Sequence, residues 1–392
     1  MGVIDLATGS VRQFAEGVGP RLVAGSLMYV AGGVLYRQPF DLEKREPTGT
    51  PEQLANGLET FYVDQSAWWI PRPAFGASAN GTLVYRVGGL GQWMGDTRLV
   101  VTDRAGHEQH VIPARRPWGP RISPDGRRVV FAARAPGQDA EDVWITDLDT
   151  RATQRVTTDG GHNDALWRPD GRAIAYHTET RGGVDIWVAA LDGSGAEPLV
   201  RRPGSQLPND WVRSDNALLF TEMTIAGDDA GAQDIWVQPA ARGVAHPDFA
   251  TAAHERGVRA SPDGRWVAYQ SDETGRTEVY VQSYPKQGAK SPVSIGGGAN
   301  PAWRGDGREL YYWKGDQLIA ASLASGAAGD PLVVRTRTAL FRAPYVGSLR
   351  ANYDVTPDGQ RFVLVMGRPQ ANRLVVALDA LATDAKRERS GR

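Results

Sequence analysis

Short runs of β-branched and aromatic residues alternate with turn-forming residues along almost the whole chain. The clearest example follows Ser123-Pro124-Asp125-Gly126, where Arg128-Val129-Val130-Phe131 has the composition of a buried β-strand. In such a turn proline presets φ and glycine supplies a positive φ. This pattern predicts a strand, a tight turn and a further antiparallel strand.

The same turn recurs at intervals of about 45 residues. Clear copies are Arg168-Pro169-Asp170-Gly171, Ser261-Pro262-Asp263-Gly264, Arg304-Gly305-Asp306-Gly307 and Thr356-Pro357-Asp358-Gly359, and weaker ones are Gly25-Ser26, Asn80-Gly81 and Ser214-Asp215-Asn216. A later strand of each unit places an acidic residue two positions before an aromatic one, as in Asp142-Val143-Trp144, Asp185-Ile186-Trp187, Asp234-Ile235-Trp236 and Glu278-Val279-Tyr280. We interpret these aromatic side chains as packing between units, and the turn aspartates as turn formers.

Four antiparallel strands in about 45 residues are typical of a propeller blade. The sequence therefore predicts an all-β protein, a β-propeller of four-stranded antiparallel blades. Counting every turn gives eight blades, and seven is the alternative because the Gly25 unit is degenerate.

The two ends of the chain complement each other. Residues 1–16 have the pattern of a third and a fourth strand, and residues 352–378 that of a first, second and third. An N-terminal strand that completes the last blade would remove both open sheet edges. We expect a single domain over residues 1–381, closed by residues 1–16, with a flexible tail over 382–392.

Composition narrows the classes of function. The chain has 46 glycines and 25 prolines among 392 residues, which disfavours a helical bundle, and it has no cysteine. Lys plus Arg (44) balances Asp plus Glu (45), which removes the electrostatic argument for nucleic acid. The longest apolar stretch, residues 22–36, is shorter than the 20 or so residues of a spanning helix. We expect no membrane insertion, no signal peptide, no cofactor and a monomer.

Two further stretches identify a resemblance. Together with the Ser-Pro-Asp-Gly and Asp-Ile-Trp-Val patterns, residues 32–41 and 352–362 resemble the TolB-type, WD-like propellers of bacteria, and more closely the propeller modules at the C-terminus of bacterial transmembrane Ser/Thr kinases. The resemblance covers nearly the whole chain and implies the fold, whereas such repeats serve unrelated functions. It also implies an extracytoplasmic location, although the chain shows no export signal.

We expect the functional site at the channel mouth opposite the Pro-Asp-Gly turns. Two insertions, residues 57–73 and 222–233, should rise on that face, and the loops between blades direct polar groups toward it. The candidate ligand-binding residues are Trp68, Trp69, Arg72, Arg116, Trp118, His162, Asn163, Asp164, Asn209, Asp210, Glu255, Arg256, Asn300, Arg350, Asn352 and Tyr353.

Motif searches favour binding over catalysis. There is no Gly-x-Ser-x-Gly elbow, phosphate loop, His-Glu-x-x-His motif or dinucleotide fingerprint, and we predict no metal site. The expected function is a sensor or scaffold that binds a protein partner or a small polar or glycan ligand. The alternative is a glycan lyase or hydrolase at the same mouth, with His162, Tyr353 and Arg350 as catalytic candidates.

Overall fold

The computed structural model describes residues 2–4, 11–13, 16–31, 34–56, 58, 60–63, 70–73, 75–78, 82–87, 97–180, 183–223, 233–240, 243–249, 253–285, 288, 290–324, 331–346, 352–367 and 373–378. These residues form β-strands joined by turns and loops, and they include no α-helix. None of them therefore belongs to a helix long and apolar enough to cross a membrane. The all-β prediction is confirmed.

The chain separates into two compact units. One consists of Met1–Gly95 with Pro369–Arg392, and the other of Asp96–Arg368. The sequence predicted a single domain over residues 1–381 instead. The sheets of the second unit form a closed ring of their own.

The described part of the first unit contains two sheets and two hairpins. Its strands are β1 (Gly2–Ile4), β2 (Val11–Gln13), β3 (Val18–Val23), β4 (Ser26–Ala31), β5 (Val34–Asp41), β6 (Glu46–Pro47), β7 (Glu52–Ala55), β8 (Thr60–Val63), β9 (Ile70–Pro73), β10 (Phe75–Ala77), β11 (Leu83–Val87) and β36 (Arg373–Ala377). One sheet has the order β3-β4-β5, with β6 and β7 both on β5, and the other has the order β10-β11-β36. β1 pairs with β2, and β8 with β9.

The second unit contains twenty-four described strands, β12 to β35. They are β12 (Thr97–Asp103), β13 (Glu108–Ile112), β14 (Arg115–Ile122), β15 (Arg128–Arg134), β16 (Glu141–Asp147), β17 (Thr153–Arg155), β18 (His162–Trp167), β19 (Ala173–Thr180), β20 (Gly183–Ala190), β21 (Ala196–Val200), β22 (Gly204–Val212), β23 (Ala217–Met223), β24 (Gln233–Gln238), β25 (His246–Phe249), β26 (Glu255–Ala260), β27 (Trp266–Ser271), β28 (Glu278–Ser283), β29 (Lys290–Pro292), β30 (Ala299–Trp303), β31 (Glu309–Lys314), β32 (Gln317–Ala324), β33 (Val333–Arg342), β34 (Tyr353–Val355) and β35 (Arg361–Gly367).

These strands form six blades of four antiparallel strands. Blade 1 is β14–β17, blade 2 is β18–β21, blade 3 is β22–β25, blade 4 is β26–β29, blade 5 is β30–β33, and blade 6 has the order β34-β35-β12-β13. Blades 2 and 3 are joined into one sheet by a short parallel pairing of β20 with β22, in which Gly183 lies opposite Gly204. The first strand of each blade contacts the first strand of the next, and β34 contacts β14, so the ring is closed. The propeller prediction is confirmed, but the count of eight blades is not, and neither is the alternative of seven.

The ring closes through β12 and β13 rather than through residues 1–16. β12 pairs antiparallel with β35 over seven residues, with Leu99 opposite Val365 and Val100 opposite Leu364. All four of these side chains are fully buried. The prediction that residues 1–16 complete the last blade was wrong, because β1 pairs with β2 and because residues 97–112 satisfy the open edge of β35.

The core of the ring lies between successive blades. Val129 and Phe131 of blade 1 pack with Val101 and Val363 of blade 6, and equivalent clusters join the other blades. Half-buried Trp144 packs against the same cluster, which confirms the interpretation of the repeated aromatic residues as packing groups.

The Pro-Asp-Gly turns are also as predicted. In blade 4 the Asp263 carboxylate accepts hydrogen bonds from the Ser261 hydroxyl (2.6 Å) and from the backbone N–H of Arg265 (3.1 Å), while Gly264 has φ +70°. The aspartate thus organises the turn from within, and the glycine takes the left-handed conformation that the turn requires.

Candidate binding site in the propeller channel

Most of the predicted site residues lie on the six first strands, which surround the channel. These are Arg116 and Trp118 on β14, His162, Asn163 and Asp164 on β18, Asn209 and Asp210 on β22, Glu255 and Arg256 on β26, Asn300 on β30, Tyr353 on β34 and Asn352 just before it. Arg72 lies in β9, which belongs to the first unit. Trp68, Trp69 and Arg350 lie outside the described residues, as do most of the two insertions. The structure therefore places twelve of the predicted residues on or beside the six first strands, and Arg350 is not one of them.

The first strands of blades 1 to 5 each contain an irregularity in their pairing with the second strand. The pairing register shifts there, and Gly119, Asp164, Gly257 and Asn300 have positive φ values of 55°, 49°, 63° and 55°. Asparagine and aspartate tolerate this conformation better than other residues with a side chain. Two of the predicted site residues, Asp164 and Asn300, are therefore bulge formers.

The two catalytic candidates that the structure describes are buried and engaged. His162 has Nε2 at 2.9 Å from Asp159 Oδ1 and Nδ1 at 3.1 Å from Thr178 Oγ1. Tyr353 is 0% exposed, and its hydroxyl donates to the carbonyl oxygen of Asn300 at 2.8 Å. Burial also raises the pKa of Tyr353 well above its usual value. His162 is thus held by the second strand of its own blade and by the preceding loop, and Tyr353 is held by the first strand of blade 5.

A buried histidine–aspartate pair lies next to the bulge of blade 2. His177 Nδ1 is 3.0 Å from Asp164 Oδ2, and both side chains are almost fully buried. Burial lowers the pKa of His177 to about 4, although the charges of Glu179 and Glu141 oppose this change. His177 is therefore neutral at pH 7, with its Nδ1 hydrogen donated to Asp164.

Among the residues that the structure describes, one group has metal-ligand chemistry. Donor atoms of Asp142, Asp159 and His162 lie within 4.8 Å of one another. The buried Asp142 carboxylate already pairs with the Arg155 guanidinium and accepts hydrogen bonds from the Thr157 hydroxyl (3.0 Å) and the Gly160 N–H (3.1 Å). The arginine provides the positive charge that a cation would otherwise supply.

The pairing register identifies one equivalent position on all six first strands. Arg121 pairs with Val130, and its counterparts pair with Ala175, Leu219, Ala268, Tyr311 and Val363. In blade order these channel positions are Arg121, Leu166, Asp210, Arg259, Ala302 and Asp354. The series arginine, apolar residue, aspartate thus occurs twice, once in blades 1–3 and once in blades 4–6.

Hydrogen bonds between side chains and the backbone follow the same repeat. Trp167 of blade 2 donates its indole N–H to the carbonyl oxygen of Arg121, and Trp303 of blade 5 donates to that of Arg259, both at 3.0 Å. Likewise the Asp354 carboxylate accepts the N–H of Ile122 at 2.8 Å, and the Asp210 carboxylate accepts the N–H of Ala260 at 3.1 Å.

Arg259 is the ionic centre of this cluster. Its Nη2 donates to Asp354 Oδ1 at 3.0 Å, and its Nε lies 3.2 Å from Asp210 Oδ2. Burial alone would lower the pKa of Arg259, but the two carboxylates raise it above its usual value. Arg259 therefore joins blades 3, 4 and 6 across the channel.

Arg121 has the opposite electrostatic character. Burial, followed by the positive charge of Arg259, lowers the pKa of Arg121 to about 10, and the charges of Asp354 and Asp210 only partly offset this change. Burial likewise raises the pKa of Asp210. At neutral pH the channel thus contains a charged arginine in surroundings that disfavour its charge.

A cavity of about 150 Å³ lies beside this cluster, at the end of the channel that carries the Pro-Asp-Gly turns. Its charged lining residues are Arg121, Asp210, Arg213, Arg259 and Asp354. Four turn prolines also line it, namely Pro124, Pro169, Pro262 and Pro357. The expected site was at the opposite mouth, so only Asp210 of this lining was among the predicted residues. A usable signal was present, since Arg121, Arg259 and Asp354 each lie two residues before the first residue of a repeated turn.

Comparisons with known proteins address the fold. No family model matches the chain. The Tol-Pal system protein TolB of Anaeromyxobacter dehalogenans (strain 2CP-C) is 26% identical over 133 residues, 33% of this chain and 30% of that protein. The match thus spans less than a third of the length of this curated relative.

Solved structures give the same fold. A putative TolB from Agrobacterium tumefaciens has a TM-score of 0.51 and 16% identity, covering 70% of this chain and 98% of that one. Kuenenia stuttgartiensis hydrazine synthase has a TM-score of 0.50 and 13% identity, covering 78% and 94%. Sequence repeat, sheet topology and these likenesses agree that the chain folds as a β-propeller of the TolB type.

Proposed function

We propose that this protein is a non-catalytic binding propeller that holds a segment of a partner protein at the turn end of its channel. The observation that carries the proposal is the charged cavity beside Arg121 and Arg259. Buried charges are costly, and their concentration in one cavity is typical of a functional site rather than of a packing core.

The size of the cavity favours a protein segment over a free small molecule. Pockets for drug-sized ligands measure roughly 300–1,000 Å³, whereas this cavity measures about 150 Å³. That volume corresponds to about five water molecules. It suits one or two side chains at the tip of a loop and is small for an oligosaccharide.

The comparisons support the same class of function. The curated relative is named a protein of the Tol-Pal system, which is consistent with a role in protein contacts. The enzyme alternative has less support, because His162 and Tyr353 are buried and engaged in hydrogen bonds between strands. The opposite mouth of the channel, where the sequence predicts the ligand-binding site, stays a prediction.

Site-specific photo-crosslinking tests this proposal. Arg213 is exposed at the rim of the cavity, and Val244 is 86% exposed elsewhere in blade 3. A photoreactive p-benzoylphenylalanine replaces each residue in turn, and each protein is irradiated in an extract of the source organism. We expect a discrete crosslinked polypeptide at position 213 that excess unlabelled protein competes away, and none at position 244. Equal labelling at both positions, or none at 213, would contradict the proposal.

A further inference from the structure

We propose that the cavity at the turn end of the channel binds a carboxylate group of the partner protein, with Arg121 as its principal ligand. This inference rests on the proposed function and specifies the chemistry of the same site. Guanidinium groups bind carboxylates through paired, charge-assisted hydrogen bonds, which makes arginine the usual residue for such recognition.

The charges of the lining favour an anion. Three arginines, Arg121, Arg213 and Arg259, line the cavity with two aspartates, Asp210 and Asp354, which leaves one excess positive charge. No lysine or glutamate is among the described residues that line it. A carboxylate would bring this set of charges to neutrality.

The two aspartates already interact with the wall. Asp354 accepts hydrogen bonds from the N–H of Ile122 and from Arg259 Nη2, one on each oxygen. Asp210 accepts the N–H of Trp211 at 2.9 Å on one oxygen, and the N–H of Ala260 on the oxygen that also contacts Arg259 Nε. Each oxygen of these two carboxylates thus accepts a hydrogen bond from a residue of the propeller itself. The aspartates are therefore already engaged within the protein.

Arg121 is not required by the architecture of the channel. The equivalent positions of blades 2 and 5 are Leu166 and Ala302, so an apolar side chain fits this place in the ring. Burial and the charge of Arg259 lower the pKa of Arg121, which means that its charge costs stability. A costly charge at a position that tolerates leucine is expected where the charge serves binding.

Thermal unfolding with carboxylate probes tests the inference. Wild type, Arg121→Met and the exposed control Arg342→Met are unfolded in 100 mM sodium acetate, in sodium chloride of equal ionic strength, and in chloride with 100 mM acetamide. We expect acetate to raise the Tm of wild type and of R342M by about 1–3 °C. The Tm of R121M should not respond, and acetamide should have no effect on any variant.

Short peptides then distinguish the source of the carboxylate. Acetyl-Ala-Glu-Ala-amide carries only a side-chain carboxylate, acetyl-Ala-Gln-Ala only a C-terminal one, and acetyl-Ala-Gln-Ala-amide neither. The inference requires that at least one of the first two stabilises wild type more than the third does, and that R121M abolishes the difference.

Two outcomes overturn the inference. One is an acetate response that is the same in wild type and in R121M, and the other is no response specific to acetate in wild type. Crosslinking at position 213 without an acetate response would contradict carboxylate recognition and support protein binding. An acetate response that depends on Arg121, without crosslinking at 213, would support carboxylate binding and contradict the proposed binding of a partner protein.

Discussion

Blades 1–3 and blades 4–6 repeat the same channel positions, yet the two halves use them differently. Arg259 in the second half contacts two carboxylates, and its pKa is raised. Arg121, at the same register in the first half, has its pKa lowered to about 10. The same residue type at equivalent positions thus contacts two carboxylates in one half and, in the other, carries a charge that its surroundings disfavour.

A second pair of equivalent positions shows the same divergence. His177 in blade 2 contacts Asp164, whereas Trp313 in blade 5 stacks on Tyr345 with ring centroids 4.2 Å apart. These two residues share one register, since His177 pairs with Asn163 and Trp313 with Ala299. At this register the first half therefore carries a titratable pair, and the second half carries aromatic packing.

The largest effect is expected from Arg259→Met. This change leaves the buried Asp354 carboxylate and the partly exposed Asp210 carboxylate without the guanidinium that contacts both, and breaking a buried pair costs about 3–5 kcal/mol in comparable cases. Denaturant unfolding of R259M should show this loss in the free energy of unfolding. The triple variant R259M/D210N/D354N should recover most of it, and a loss below about 1 kcal/mol in R259M would show that Arg259 is not the ionic centre.

The next effect concerns pH and His177. Its folded pKa, about 4, lies below the value of about 6.5 in the unfolded chain, so the unfolded state binds a proton first as the pH falls. The contribution of this group is fully present above pH 6.5 and is lost between pH 6.5 and 4, by about 3 kcal/mol.

The control for this prediction is His177→Gln, because glutamine occupies the equivalent position in blade 4 as Gln270. Carboxylates other than Asp164 keep their surroundings in both proteins, so the difference between the two stability–pH curves reports the His177–Asp164 pair. Parallel curves from pH 7 to 4 would contradict the assignment of a neutral His177.

A smaller effect of opposite sign is expected from Arg121→Met. Removing a buried charge that its surroundings disfavour should raise the free energy of unfolding by about 1–2 kcal/mol. Denaturant unfolding beside wild type measures the change. A loss comparable to that of R259M would show that the two halves of the channel are electrostatically equal.

The smallest effects should be equal in the two halves. Trp167→Phe and Trp303→Phe each remove one indole hydrogen bond to the backbone carbonyl of a channel arginine. Each variant should lose about 1 kcal/mol. The two bonds have the same length and occupy equivalent positions. A difference above about 1 kcal/mol between the two variants would therefore show that the halves of the channel differ in their backbone contacts and not only in their charges.

The sequence predicted what is local and repeated. Ser261-Pro262-Asp263-Gly264 and its copies identify the turns and so the blades, because the aspartate and the glycine act within four residues. Ring closure was missed because β12 pairs with β35 across more than 250 residues, and the burial of Leu99 that fixes the register is not visible in the local pattern.

The site was predictable to a similar extent. A fixed distance from the turn places Arg121, Arg259 and Asp354 on the channel, so their positions could have been found. The different roles of Arg121 and Arg259 could not, since they depend on which carboxylates the folded ring brings to each guanidinium.

The most direct measurement is anomalous diffraction from crystals of wild type and of R121M soaked in 5-bromo-2-furoate, a carboxylate whose ring-bound bromine is not displaced by protein nucleophiles. Bromine marks the position of the carboxylate, and the cavity between Arg121 and Arg259 is where the peak is predicted in wild type. The peak should be absent in R121M under the same soak. A wild-type cavity without bromine, or equal peaks in both proteins, would contradict the proposal that Arg121 holds a partner's carboxylate in this channel.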